Sequence, residues 1–511
     1  MRAMFDQKNV SHLIEEMQNA LPLPGRRVFG VLKKLEKEAL KLEDSALLGF
    51  VYYYYVNAHV SRNEQTKAHK YIRLAVNHLM RSGDAELLAR TFNLFALDAQ
   101  YSGCYDIAQN YYQMAYTLVQ KNEDSLVRAI VDSNIGNLHS AIRDYAESSR
   151  HIRKSLPVVR RHSDDVLSDQ NLAVAYLNIG SNSLYLGKIG EAGRSLRRAE
   201  KILSHTNIEE TIYLTLLLLR AHYAYATKQR EECLRNVERI SEHIRNSTLY
   251  NDFVCDLVNF CRRILQEDDE NIISSLILAI DRSNLAGVSC YHRLLLSELA
   301  VEHYARTGDD ANLEKGFSLQ HENSLAQWAA QKKMYLYSAE LMLLISDLKE
   351  EQTRIRRENE KLRHQAETDA LTGIPNRHAM NLELEKASAR MTQAGSPLGI
   401  CMFDIDSFKK YNDLYGHAQG DQCLCLVASA LQHVAKEYGL FAARYGGDEF
   451  VLILEDRSNE EVEKITEAIH ARMPVRVSHG TVNVVPDENT HLFDLLARAD
   501  EAMYREKRGH R

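Results

Sequence analysis

The chain has 511 residues, which corresponds to about three domains of roughly 150 residues each. Its hydrophobic residues (45%), charged residues (26%) and net charge of −7 exclude intrinsic disorder and a basic protein that coats nucleic acid. No apolar run approaches the ~20 residues that span a bilayer, and the first residues lack the apolar core of a signal peptide. We therefore expect a cytoplasmic protein that partners neither nucleic acid nor membrane, with its eight scattered cysteines reduced.

The first two thirds of the chain are predicted to be helical throughout, because only Pro157 lies between Pro24 and Pro375. Five segments align about 41 residues apart, and each places a small residue in register: Ala68, Ala108, Ser148, Ala192 and Cys233. Asn134-Ile135-Gly136 and Asn178-Ile179-Gly180 also recur within the first helices of two units. This pattern predicts stacked helical hairpins.

These hairpins, over residues 45–245 with weaker pairs to about 330, resemble tetratricopeptide repeats. The resemblance implies a curved solenoid whose concave face binds a protein or peptide. Four consecutive tyrosines, Tyr52 to Tyr55, are candidates to line that face, although at least two of them are expected in the core because four residues point all around a helix.

A heptad repeat follows the helical array. Leucine or isoleucine recurs at every seventh residue, at Leu341, Leu348, Ile355 and Leu362. The second core position of each heptad holds Ile345, Gln352, Asn359 and Ala366. The pattern predicts a short parallel coiled coil, and a solvated single helix is the alternative because the segment is densely charged. The predicted domains are 1–335 (helical repeats), 336–366 (coiled coil) and 367–511.

Residues 367–511 alternate strands and helices and carry two acidic clusters at predicted strand ends. PLGICMFDID reads as a buried strand, and LFAARYGGDEFVLIL as two strands joined by a tight glycine turn. Asp404 and Asp448 are therefore candidate magnesium ligands, since carboxylates from separate strands form a hard oxygen site. Gly446 and Gly447 would let backbone approach a nucleotide, and Lys409 and Lys507 could neutralise phosphate charge.

RYGGDEF at 444–450 resembles the signature of GGDEF diguanylate cyclases. Four further blocks follow the family in order: DALTGIPNR at 369–377, FDIDSFKKYNDLYGHAQGD at 403–421, VSHG at 477–480 and ADEAMYREK at 499–507. The resemblance implies a multidomain protein with an all-α repeat solenoid, a coiled-coil linker and an α/β nucleotide-cyclase-like domain. It covers about 145 residues of the chain.

Position by position, the resemblance implies two Mg²⁺ ions per site, with Mn²⁺ able to substitute. Asp404, Asp448 and the Ile405 carbonyl would bind the metal, and Glu449 would support the same centre. The implied contacts to GTP come from a guanine-reading pair and a phosphate-binding set, namely Asn412, Asp421, Phe408, Lys409, Gly446, Gly447 and Lys507.

The implied reaction condenses two GTP into cyclic di-GMP and two pyrophosphates. Because one domain binds one GTP, the enzyme is expected to be a homodimer through the coiled coil and the GGDEF domains, regulated by the repeats. The alternative is an inactive domain that serves as a nucleotide sensor or as an adaptor. The inhibitory R-x-x-D motif of many relatives is replaced by Glu437 and Leu440, which predicts no product inhibition there. The role of Arg511 and the short Phe450–Ser478 segment stay open.

Overall fold

The computed structural model describes residues 8–20, 26–60, 62, 64–122, 124–162, 166–204, 209–245, 249, 251–267, 269–487 and 490–509. The chain forms two compact units, Met1–Lys349 and Glu350–Arg511. Among the described residues, no helix is both long enough and apolar enough to traverse a membrane. All eight cysteines are free thiols, as predicted.

The first unit consists of helices that pack mainly against their neighbours in sequence. They are α1 (Lys8–Ala20), α2 (Arg26–Lys41), α3 (Ser45–Val60), α4 (Gln65–Ser82), α5 (Ala85–Tyr101), α6 (Tyr105–Val119), α7 (Leu126–Ala141), α8 (Tyr145–Arg161), α9 (Val166–Tyr185), α10 (Ile189–Leu203), α11 (Glu210–Ala226), α12 (Arg230–Ile244), α13 (Asn251–Gln266), α14 (Glu270–Ile280) and α15 (Cys290–Thr307).

The small residues that the repeat alignment places in register all lie buried in the second helix of a pair: Ala68, Ala108, Ser148, Ala192 and Cys233 in α4, α6, α8, α10 and α12. Gly136 permits close helix contact, since a Cβ on it would lie 2.6 Å from Ile152 Cγ1. Asparagines also link successive first helices, as Asn178 Nδ2 donates to Asn137 Oδ1 at 2.8 Å. Assignment of these hairpins to the tetratricopeptide family remains a prediction.

The four tyrosines Tyr52 to Tyr55 are all buried in α3. Their rings pack within the hydrophobic core of the first unit, and Tyr55 stacks on Tyr71 with ring centroids 4.4 Å apart. The core role expected for at least two of them therefore extends to all four, and the idea that they line a ligand-binding face is wrong.

A single helix of 58 residues, α16 (Asp310–Glu367), contains the whole predicted coiled-coil segment. The heptad residues fall into two environments. Leu341, Ile345 and Leu348 are buried, and the first two belong to the core of the first unit, whereas Ile355 and Leu362 are 48% and 56% exposed. The early half of the seam is thus used for packing within the chain, whereas Ile355 and Leu362 of the late half are exposed.

The second unit is an α/β domain around a four-stranded sheet of order β2-β3-β1-β4, in which each neighbouring pair is antiparallel. After α16 its elements are α17 (Arg377–Ala394), β1 (Leu398–Ile405), α18 (Phe408–Tyr415), α19 (His417–Tyr438), β2 (Phe441–Gly446), β3 (Glu449–Glu455), α20 (Asn459–Arg472), β4 (Val477–Val484) and α21 (Leu492–Gly509).

Strand β1 is apolar over most of its length because both faces of the sheet are covered. Alternate residues belong to two different cores: Phe403 and Ile405 pack with α19 and α20, whereas Ile400 and Met402 pack with α17 and α21. Asp404 is the exception, a buried carboxylate near the end of a central strand. The fold therefore places one charge where an apolar residue would pack, next to the glycine turn between β2 and β3.

Candidate functional site

The two acidic clusters meet at one end of the sheet. Asp404 on β1 lies directly opposite Glu449 on β3 in the antiparallel register, and Asp448 immediately precedes Glu449. The backbone amide of Ile405 donates to the Asp448 carbonyl at 3.3 Å, which extends the strand pairing into the turn. The sequence prediction that separate strands bring these carboxylates together is thus matched by their placement.

This end of the sheet concentrates negative charge in a partly dry environment. Burial raises the pKa of Asp404, an effect that the Lys507 ammonium opposes and the nearby Asp448 reinforces. Burial likewise raises the pKa of Glu449, with repulsion from Asp404 as the next cause. Lys507 on α21 forms an ion pair with Asp404 Oδ1 rather than extending into solvent. Lys507 pairs with Asp404 alone, which leaves Asp448 and Glu449 without an ion pair among the described residues, and the site favours an additional cation.

The glycine turn leaves open space above the strand ends. A Cβ built on Gly446 or Gly447 would meet nothing within 4 Å, and Gly447 has φ +54°, a left-handed conformation that favours glycine. Neither glycine is needed to fit against the rest of the chain, so the room at Gly446 is free for a ligand.

Arg444 ties this turn to the segment that precedes α17. Its Nε and one terminal nitrogen donate to the Gly447 carbonyl at 3.0 and 2.7 Å, and the other donates to Asp369 Oδ1 at 2.9 Å. Burial opposes the charge on Asp369, but hydrogen bonds from Thr372 and Arg444 lower the pKa of that carboxyl overall. The motifs DALTGIPNR and RYGGDEF were both recognised in the sequence, but the contact between their Asp369 and Arg444 was not predicted.

A short series of hydrogen bonds joins the end of α16 to the same turn. The Asn376 side chain donates to the Ala366 carbonyl at 2.8 Å, and its backbone amide donates to the Glu367 carbonyl at 2.9 Å. The adjacent Pro375 carbonyl accepts from the Arg444 amide at 2.8 Å. Movement of the last turn of α16 would therefore reach Arg444 through two residues.

The predicted guanine-reading residues lie on neighbouring helices, Asn412 on α18 and the exposed Asp421 on α19. Gly420 makes this possible, since a Cβ there would lie 1.8 Å from Asn412 Oδ1. That oxygen is buried and has no hydrogen-bond partner in the structure, which is unusual for a buried polar atom. Of the predicted phosphate-contacting residues, Phe408 packs partly against the core and Lys409 is exposed at the start of α18. Arg511 lies outside the described residues.

Helix α21 carries Lys507 to Asp404 because it packs unusually close to β4. A Cβ on Gly480 would lie 2.1 Å from the Met503 backbone nitrogen and 2.2 Å from the Ala499 carbonyl oxygen. The neighbouring Glu506 carboxylate accepts from the His479 backbone amide and so fixes the end of the helix on the strand. Gly480 and Glu506 are thus positioning residues that the VSHG and ADEAMYREK motifs contained without revealing their role.

The donor set fits magnesium bound together with a substrate. In the described parts of the chain no group of three or more His, Cys, Asp or Glu side chains forms a ready-made metal cage. Magnesium typically uses one or two carboxylates plus substrate phosphates rather than a cage of protein ligands. The excess of carboxylates at Asp404, Asp448 and Glu449 suits that mode.

The comparisons with known proteins converge on this unit. Residues 366–511 match the family described as diguanylate cyclase, GGDEF domain. They form a GGDEF domain. The diguanylate cyclase DgcP of Pseudomonas aeruginosa is 35% identical over 162 residues, which are 30% of this chain and 24% of that protein. A Vibrio cholerae diguanylate cyclase is 32% identical over 168 residues, which are 30% of this chain and 50% of that protein. The Escherichia coli cyclic di-GMP phosphodiesterase PdeR is 34% identical over 184 residues, which are 34% of this chain and 27% of that protein.

Among solved structures, the coiled coil and GGDEF domain of DgcB from Caulobacter crescentus in complex with c-di-GMP is 35% identical. The match covers 34% of this chain and 96% of the DgcB chain, with a TM-score of 0.31. The chain spans between about a quarter and a half of the length of the curated relatives named above. The similarity is therefore one of the GGDEF domain and not of the whole protein.

Proposed function

We propose that this chain is a diguanylate cyclase that condenses two GTP into cyclic di-GMP and two pyrophosphates. The observation that carries the proposal is the pairing of Asp404 with Glu449 beside the glycine turn, where three carboxylates meet and Lys507 pairs with only one of them. Several relatives matched by the GGDEF domain are named diguanylate cyclases, which supports the same reaction.

The protein residues would bind and orient the two reactants. Asp404, Asp448 and the Ile405 carbonyl would hold two Mg²⁺, and Glu449 would complete the charge at the centre. When bound, Mg²⁺ supplies activation of the attacking hydroxyl and stabilises charge on the leaving pyrophosphate. The Asn412 amide and Asp421 would read guanine, since the unpartnered Asn412 oxygen accepts a hydrogen bond and a carboxylate accepts two more. Lys409 would contact phosphate.

Lys507 would change partners during this cycle. In the structure its ammonium neutralises Asp404, and in the substrate-bound enzyme it would move away from that carboxylate. The lysine would then be released to a phosphate oxygen of GTP. Its position therefore fits both a resting state, in which it replaces missing positive charge, and a substrate-bound state.

Two domains must face each other because each 3′-hydroxyl attacks the α-phosphate held by the other copy. We propose that the exposed Ile355 and Leu362 of α16 form the seam of this homodimer. The hydrogen bonds from Ala366 through Asn376 and Pro375 to Arg444 would then carry changes in that seam to the glycine turn. The helical unit would regulate the enzyme in this way.

The decisive experiment incubates the full chain with GTP and Mg²⁺ and separates the products by chromatography. We expect cyclic di-GMP and pyrophosphate from the unaltered chain, and at least a hundredfold less from Asp448→Asn. Asp456→Asn is the matched control, since it changes an exposed aspartate at the far end of β3. Binding of GTP without any product would instead favour the alternative of an inactive nucleotide sensor.

A further inference from the structure

The first unit contains a cavity of about 140 Å³ that is partly open to solvent and is remote from the GGDEF residues in sequence. Its walls come from the first helices of successive pairs, α5, α7, α9 and α11, together with α13 and α15. The polar residues that matter here are Gln100, Tyr101, Asn178, Asp252, Asp256 and His292. Protein interiors seldom leave polar space of this size without a ligand or ordered water.

The cavity lies where the helical array closes on itself. Tyr101 Oη donates to Asp252 Oδ2 at 2.9 Å, although 151 residues separate them. Tyr105 and Tyr291 share a hydrogen bond of 3.0 Å between their hydroxyls, and a Cβ on Gly103 would lie 2.7 Å from the Tyr291 ring. The α5–α6 turn is therefore in contact with α13 and α15, and a ligand in the cavity would touch both sides of this closure.

Two carboxylates face the cavity one helical turn apart, Asp252 and Asp256 on α13. Within the described ranges neither forms an ion pair, and Asp256 has no hydrogen-bond partner either. The nearby cations are otherwise engaged or distant: Arg262 pairs with Glu298 at 3.1 Å, and Arg263 contacts His222 Nε2 at 2.9 Å. Asp252 is exposed and Asp256 is half-buried, and burial together with repulsion from Asp252 raises the pKa of Asp256 to about 7.

A second, independent observation also indicates a missing ligand. His292 is only 4% exposed and lines the cavity. Its Nδ1 is paired with Ser289 Oγ at 2.8 Å, while its Nε2 has no partner among the residues that the structure describes. Gln100 is similar, since its Oε1 accepts from Tyr112 Oη and its amide nitrogen has no described partner. Both residues are more than nine-tenths buried, and side chains in such places normally have hydrogen-bond partners for their polar atoms.

We propose that this cavity binds an organic cation with a primary ammonium group, held between Asp252 and Asp256, with its polar body against His292 and Gln100. An engineered cavity of about 150 Å³ accommodates benzene, so the enclosed part of the ligand has only a few heavy atoms. This chemistry is shared by a free aliphatic amine and by the amino terminus of a peptide. Both ligands would be attracted because their ammonium group carries the charge opposite to that of the exposed Asp252 and the half-buried Asp256.

Occupancy of the cavity would influence α16, which packs against both walls. Gln327 Nε2 donates to the Ser102 carbonyl at 2.7 Å, and Asn323 Nδ2 donates to the Arg293 carbonyl at 3.3 Å. A ligand held by Gln100 of α5 and His292 of α15 would draw these two helices together and would therefore shift the surface on which α16 lies. This regulatory consequence rests on the proposed cyclase function, but binding itself does not.

Binding is tested by calorimetric titration of the full chain with 1,4-diaminobutane and with the uncharged butane-1,4-diol. We expect the diamine to bind and the diol not to bind. Asp256→Asn should weaken diamine binding at least tenfold, and Ala141→Leu, which fills the cavity without altering charge, should weaken it as well. Glu238→Gln is the matched control, an exposed carboxylate on α12 that does not line the cavity.

A second titration compares trialanine that has a free amino terminus with its N-acetylated form, which distinguishes a peptide source from a free amine. Binding of either ammonium probe, lost in Asp256→Asn, supports the proposal. Equal binding of charged and uncharged probes, undiminished binding to Asp256→Asn and Ala141→Leu, or binding by no ammonium probe overturns it. Because heat of binding needs no turnover, an inactive GGDEF domain would leave this result unaffected.

Discussion

Arg444 shows how much of the site depends on one side chain outside the acidic centre. Its guanidinium bridges the Gly447 carbonyl and the Asp369 carboxylate, so it fixes the glycine turn against the start of the GGDEF domain. A planar group with several donors can make both contacts at once, which an ammonium cannot. The arginine of RYGGDEF is therefore a structural clamp for the turn that carries Asp448.

We expect Arg444→Lys and Arg444→Ala to lower the free energy of unfolding of the GGDEF domain by about 1–3 kcal/mol, the usual cost of unpairing a buried polar group. Turnover should fall at least tenfold in both. Thermal denaturation and product formation measure the two effects. Arg472→Lys is the control, because that arginine pairs with Glu437 at an exposed site. Full activity of the Arg444→Lys enzyme would contradict this role.

The same contact predicts a change in acid stability. The folded-state pKa of Asp369 is lowered, so its contribution is present above the unfolded value of about 3.9 and is lost as pH falls through the lower folded value. Removing Arg444 reduces this shift. Acid unfolding followed by circular dichroism should therefore have its midpoint at higher pH in Arg444→Ala than in Arg472→Lys.

Gly420 affects a neighbouring residue rather than a ligand. An alanine there would collide with the Asn412 amide, which is the mobile end of a side chain and can move aside. We expect Gly420→Ala to raise the KM for GTP about tenfold, or about 1.4 kcal/mol, with little loss of stability. Asn412→Ala should cause a similar change, and the double variant should add nothing further because both act through one amide. Additive effects would contradict the contact.

At the scale of elements, the sheet was predictable because its strands have distinct patterns. β1 is nearly all apolar since both its faces are covered, and the β2–β3 hairpin is marked by its two glycines. The close packing of α21 on β4 was not predictable. It depends on Gly480 and on the Lys507 pairing with Asp404, two contacts between segments distant in sequence.

This packing can be tested with two glycines on adjacent strands. Gly480→Ala would place a Cβ against the backbone of α21, whereas Gly399→Ala would meet mainly the side chain of Leu454 at 3.1 Å. We expect the first to destabilise the domain by more than the ~1–3 kcal/mol typical of overpacking and the second by less. Turnover should fall more in Gly480→Ala than in Gly399→Ala, because displacement of α21 moves Lys507 away from Asp404. Differential scanning calorimetry gives the order, and the reverse order would be inconsistent with the packing.

For the whole molecule, the heptad pattern correctly located a long helix but could not distinguish packing within the chain from packing between chains. Leu341 and Ile345 obey the same periodicity as Ile355 and Leu362, yet only the first two are buried in the first unit. The cavity lay beyond prediction for a related reason. Asp252 and Asp256 resemble ordinary polar residues of an amphipathic helix until α5 and α13 come together.

Substitutions in the buried and in the exposed part of the α16 heptad pattern should have different effects. Leu341→Ala should lower the free energy of unfolding of the first unit by about 2–5 kcal/mol, as expected for a truncated core leucine. Ile355→Ala, a matched change at an exposed heptad position, should leave that stability unchanged but shift the chain toward monomer and reduce turnover. Thermal denaturation and analytical ultracentrifugation separate the outcomes. A dimer that survives Ile355→Ala and Leu362→Ala together would exclude this seam.

The hydrogen bonds of Asn376 to Ala366 and Glu367 have a consequence for how such proteins are assembled from parts. The last turn of the helix belongs energetically to the domain that follows it, so a functional chimera should be spliced upstream of Ala366. Any input module that rotates or pulls that final turn would then act on the same glycine turn. The same acidic centre would thus work with different input modules joined upstream of Ala366.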